Sequence, residues 1–159
     1  MHRVSFKGVI IGGIVDTVAS TLGGLALLMF IRLTPAVAAL GTDAQAQVIR
    51  DLVVQRPAYY LTGFLIGTLC SILGGYVAAR IAGHDEILNG ALSSFLCVGL
   101  GIYELAQPAG EQTPLIHILE FVASPTLGAL GGYLRDLQLG REAPAPPREK
   151  APGSIGAGA

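Results

Sequence analysis

Charge is scarce in this chain: 13% of its 159 residues are Asp, Glu, Lys or Arg, against 52% hydrophobic residues. A soluble domain carries about a quarter charged residues and shows them to water, so the polar surface such a fold needs is missing here. The ten basic and eleven acidic residues nearly cancel, at a net charge of −1, and no basic patch with interleaved aromatics exists to hold phosphates, which excludes a nucleic-acid partner. Cysteine is confined to Cys70 and Cys97. His84, Asp85 and Glu86 cluster at one turn without metal-ligand spacing, and His117 with Glu120 forms half of a di-metal bundle motif whose second half is missing. No Ser-His-Asp order with supporting glycines and no phosphate loop occurs. The chain is therefore expected to be no enzyme, with no catalytic residues, no metal and no cofactor.

What the chain does have is long apolar runs, at about 8–31, 58–82, 87–105 and 115–134. A helix crossing the hydrocarbon core needs about 20 residues at 1.5 Å each, so the expected fold is all-α, an integral membrane bundle of four transmembrane helices within residues 1–139. Seven of the ten basic residues fall on one side: Arg3, Lys7, Arg80, Arg135, Arg141, Arg148 and Lys150. Positive loops stay cytoplasmic, which puts both termini inside. Tyr59, Tyr60, Tyr103 and Tyr133 mark helix ends, where amphipathic rings suit the headgroup region. The N-terminus also imitates a cleaved signal peptide with Ala36-Val37-Ala38 as its site, but its apolar run is longer than a signal core and contains Asp16.

The loop at 32–56 has Thr42-Asp43 as a helix cap and Val48, Ile49, Leu52 and Val53 at helical spacing, an amphipathic helix for the outer membrane surface. The tail at 140–159, GREAPAPPREKAPGSIGAGA, is too rich in Pro, Ala and Gly to bury a core and is expected to be disordered.

Small residues form stripes at four-residue spacing. The second run has Gly63, Gly67, Ser71, Gly75, Ala79 and Gly83; the first has Gly8, Gly12, Asp16, Ser20 and Gly24; the fourth has Glu120, Ser124, Gly128 and Gly132. In lipid such a face lets helix backbones approach closely, so these positions are expected to pack. Asp16 and Glu120 share the small-residue faces and should point inward, since a carboxylate facing acyl chains costs several kcal/mol. Two readings stay open: a proton or cation site built from Asp16, Glu120, Ser20 and Ser124, or carboxyls that hydrogen-bond as packing glue.

The stretches DTVASTLG and EFVASPTLG match at six of eight positions once Pro125 is set aside as an insertion. This is either an inverted repeat, as transporters use, or the convergence of small-residue helices. Pro125 removes one backbone amide and should kink its helix. Cys70 and Cys97 lie equally far from the turn at Gly83-His84, and two small packing residues are expected there in preference to a disulfide.

Residues 74–91, GGYVAARIAGHDEILNGA, resemble the middle hairpin of small bacterial four-helix membrane proteins that have no assigned activity. The resemblance implies the same topology and a multi-pass location in a bacterial cytoplasmic membrane. The expected partners are the lipid bilayer and either a second copy or another membrane protein, for a structural or accessory component. The alternative is a proton- or cation-linked carrier or channel acting as an oligomer through Asp16 and Glu120.

Overall fold

The computed structural model describes residues 4–105 and 114–142, in which every regular element is an α-helix. They are α1 (Phe6–Arg32), α2 (Pro35–Ala38), α3 (Thr42–Gln55), α4 (Pro57–Ala82), α5 (Glu86–Ser93), α6 (Phe95–Leu105) and α7 (Pro114–Glu142). Local chemistry sets their ends. Ser5 caps α1, its Oγ accepting from the Gly8 amide at 3.2 Å, which satisfies one of the orphan donors of the first turn. Pro57 opens α4, where a missing amide costs nothing. Gly83 closes it with φ 65°, and Asp85 also takes the left-handed region at φ 45°, a conformation that Asp tolerates better than most side chains. The three residues 83–85 thus reverse the chain.

Three expectations need correction. The third apolar run is two helices: at Ser94 the amide bonds Ala91 O at 3.3 Å, a tighter i to i−3 step, while Ser93 Oγ donates to Gly90 O at 2.7 Å. Such side-chain bonds to the backbone compete with the regular ladder. The last helix does not stop at 134 but runs to Glu142, and it stays helical through Pro125, beside which Thr126 Oγ1 donates to Val122 O at 2.9 Å. In the first loop Gly41, not Thr42, precedes α3, and no side-chain cap forms; Gln45 instead gathers the segment, donating to Ala38 O and Leu40 O and accepting from Arg32 Nε at 3.2 Å. The tail from residue 143 onward lies outside the described residues.

Contacts fix the directions of the helices. Gly8 lies against Ala78 and Ala82, Gly12 against Gly74 and Ala78, and Gly23 against Ile66, so numbers fall along α4 as they rise along α1. The two run antiparallel. Ser5 meets Asn89, Gly13 meets Ser93 and Thr17 meets Cys97, so α5 and α6 run with α1. Gly128 meets Ser94 and Gly132 meets Glu86, so α7 runs against α5 and hence alongside α4.

The helix axes come so close that backbone touches backbone. A Cβ on Gly12 would fall 2.6 Å from both Ala78 Cβ and Gly74 O, and one on Gly75, Gly128 or Gly131 would overlap the backbone of the facing helix. This approach lets dispersion and polar contacts accumulate between the backbones. Ala78 and Ala79 are fully buried between the neighbours of α4.

Of the positions in the sequence stripes, Gly8, Gly12, Gly75, Gly128 and Gly132 lie at these seams, whereas Gly63 meets only Leu27 at an ordinary 3.7 Å. Gly24 and Gly67 meet nothing within 4 Å among the described residues. Steps of four residues advance about 40° each around a helix, so the α4 stripe walks off the shared face over its length. The closest contacts add Gly13, Gly74, Gly90 and Gly131, which four-residue spacing alone does not pick out.

Gly131→Ala and Gly128→Ala should each destabilise the protein by about 1–3 kcal/mol through overpacking, read as a lower midpoint of thermal unfolding in detergent. Gly67→Ala should leave that midpoint unchanged or raise it, because alanine is the better helix former. Equal losses at all three positions would contradict the packing described.

Candidate functional site

Asp16 sits one turn beyond Gly12 on α1, the face that meets α4, and its side chain is 1% exposed. Gly74 makes room for it: a Cβ there would stand 2.7 Å from Asp16 Cβ. Three donors converge on the carboxyl. Ser20 Oγ, one turn further along α1, donates to Oδ1 at 3.3 Å; Ser71 Oγ of α4 donates to the same oxygen at 3.2 Å; and the Cys97 thiol of α6 donates to Oδ2 at 3.2 Å. Thr17 Oγ1 stands 3.7 Å from the same sulfur. One side chain thereby ties three helices together.

The ion pair found among the described residues, His84 with Asp85 at 3.9 Å, belongs to the exposed turn, so Asp16 is held by neutral groups alone. Hydroxyls suit either form of the acid, since each can turn a hydrogen toward a carboxylate or accept the proton of the neutral carboxyl.

The expected site set is only partly assembled. Asp16 and Ser20 meet. Ser124 lies on α7, and its buried Oγ has no hydrogen-bond partner among the described residues. The backbone of Glu120 falls within α7, and its side chain lies outside the described residues, as does that of His117. Ser71, expected as a packing residue, is a carboxyl ligand. Cys70 and Cys97 are both free, and Cys97 turns to Asp16.

Sequence reading passed over Asn89, which is fully buried. Its Oδ1 accepts from the Ser5 amide at 2.7 Å and its Nδ2 donates to His84 O at 2.9 Å and Asp85 O at 3.1 Å. It fastens the start of α1 to the turn between α4 and α5. The signal was an amide side chain alone in an apolar stretch, where a buried polar group must find partners. At the same end Tyr76 Oη donates to Gln138 Oε1 at 2.6 Å, and Arg135 Nη1 donates to that oxygen at 2.9 Å.

A shallow open groove beside the turn is lined by Asp85, Glu86, Ile87, Leu88, Ala91 and Asp136. No group of three or more His, Cys, Asp or Glu among the described residues is placed to hold a metal ion. No protein-family profile, curated protein or solved structure matches the chain.

Removing a donor from the Asp16 carboxyl should cost more than an exposed hydrogen bond, because a buried polar group is left under-satisfied. Cys97→Ala should lower unfolding stability by about 1–3 kcal/mol, whereas Cys97→Ser, which restores a donor, should recover most of the loss. Equal stability of the alanine variant and the parent would show that the thiol contact is incidental.

Proposed function

We propose that the chain is a multi-pass protein of a bacterial cytoplasmic membrane, with four transmembrane helical passes (α1, α4, α5–α6 and α7) and both termini inside, and that it serves as a structural or accessory component associating with itself or with a membrane partner. The observation that carries this is an inverted distribution of polarity. Asp16, Asn89, Ser93 and Ser94 are buried to within 1%, while Leu22, Leu69 and Phe64 are 62%, 66% and 52% exposed. Water does not stabilise such a surface, but acyl chains do.

Two helices, α1 and α4, are long and apolar enough to cross a membrane, and only 11% and 17% of their most apolar windows is buried within the chain. A core helix of a soluble protein passes the same length test but is mostly buried. A signal sequence passes it too, and against that reading stands the close packing of α1 on α4 from Gly8 to Gly23. The small residues Gly24 and Gly67, which have room around them among the described residues, suit the approach of a further helix.

The buried carboxyl supports a second reading, a proton- or cation-linked carrier acting as an oligomer. Ionisable residues inside the membrane commonly mark ion paths. The packing role takes precedence because Asp16 meets groups from three helices, which is what a fastening needs.

Reporter fusions after residues 40 and 110 should read outside and a fusion at the C-terminus inside; an outside C-terminus would sink the topology. In proteoliposomes the parent should carry no proton-linked flux of small cations. Asp16→Asn, which keeps hydrogen-bonding capacity, should unfold near the parent temperature, and Asp16→Leu should unfold earlier. Flux that is present in the parent and lost in Asp16→Asn at unchanged stability would establish the carrier instead.

A further inference from the structure

Three hydroxyl oxygens in the helix seams are buried and have no hydrogen-bond partner among the described residues: those of Thr68, Ser94 and Ser124. Buried polar atoms are satisfied in the great majority of cases, by protein or by ordered water. Thr68 lies on α4, Ser94 at the break between α5 and α6, and Ser124 on α7.

Contacts across the helices set their relative placement. Ser94 is fully buried, and its Oγ lies against Gly128 of α7. Ser124 precedes Gly128 by one turn and, at 100° per residue, falls between the direction of Gly128, which meets Ser94 and Gly90, and that of Gly131, which meets α4. Thr68 precedes Gly75 by seven residues, which brings it within about 20° of the face that Gly75 turns to Gly128. Thr68 and Ser124 thus face one another's helix, on the same side of the Gly75–Gly128 crossing. Ser71 and Cys97 lie within about one turn of this level and bind Asp16.

We propose that these hydroxyls enclose internal water, and that the water joins the seam between α4, the α5–α6 break and α7 to the Asp16 carboxyl as one hydrated polar layer about two helical turns deep. A buried water makes about three hydrogen bonds and bridges groups the protein leaves unpaired. The three hydroxyls supply both donors and acceptors for it. The layer brings water to the level of the Asp16 carboxyl. It goes beyond both functional readings, since water in the seam is compatible with a packing role and with a carrier.

The sign of a stability change tests the inference. If each hydroxyl is satisfied by water, Thr68→Val, Ser94→Ala and Ser124→Ala should each lower Tm by about 2–4 °C; if the seam is dry, removing an unpaired polar atom should raise Tm. A rise for Thr68→Val and Ser94→Ala would overturn the proposal. A measurement that needs no variant is polarisation transfer from water to the labelled parent protein in lipid vesicles, by solid-state NMR. Transfer should reach Ser94 and Ser124 while sparing the close contact of Gly12 with Ala78; equal transfer, or equal absence of transfer, at all four residues would overturn the proposal whatever the variants do.

Discussion

The close approach of helix backbones at glycine is the constraint on which the rest of this structure depends. Where Gly75 meets Gly128, Gly90 meets Gly128 and Gly12 meets Gly74, a single Cβ would collide with the facing chain. Helices that come this close place short side chains in contact across the seam, and only short polar groups such as Ser, Cys and Asp then reach one another. Longer apolar side chains are displaced to the outside, where Leu22, Phe64 and Leu69 lie. Packing and polarity are in this way the same arrangement seen from two sides.

Asp16 illustrates the dependence. Its carboxyl reaches Ser71 because Gly74 has no side chain to hold α1 away, and it reaches Cys97 because Gly13 lets α1 lie against Ser93 and Leu96. A carboxyl with three donors from three helices is over-determined in position. Asn89 does the equivalent work at the turn, joining Ser5 to His84 and Asp85. Interhelical bonds of this type contribute modestly to stability in lipid, and their stronger effect is to select one register among the many that glycine faces allow.

Much of the helical framework was legible. The apolar runs and the turn at Gly83-His84 place the two long apolar helices within a residue or two, because length and left-handed glycine act locally. The break at Ser94 and the extension of α7 to Glu142 were not, since the first depends on hydroxyl bonds within one turn and the second on polar residues such as Gln138 and Arg135 gaining partners. The inward position of Asp16 was readable from the small residues on its face. Its partners Ser71 and Cys97 were not, nor was Asn89.

That the chain is helical, that its long helices are apolar around most of their girth, and that small residues and an acid share one face of α1 can all be read from the order of residues alone. Those properties follow from composition and from a period of 3.6 residues, which any stretch of chain carries with it. Which helix that face meets, and at what level, emerges once the helices are packed together. A stripe spaced by four drifts steadily around its helix, so the crossing point of two axes selects Gly74 and Gly75 and bypasses Gly67. Crossing points arise from the joint fit of every helix pair, and no single helix contains that information.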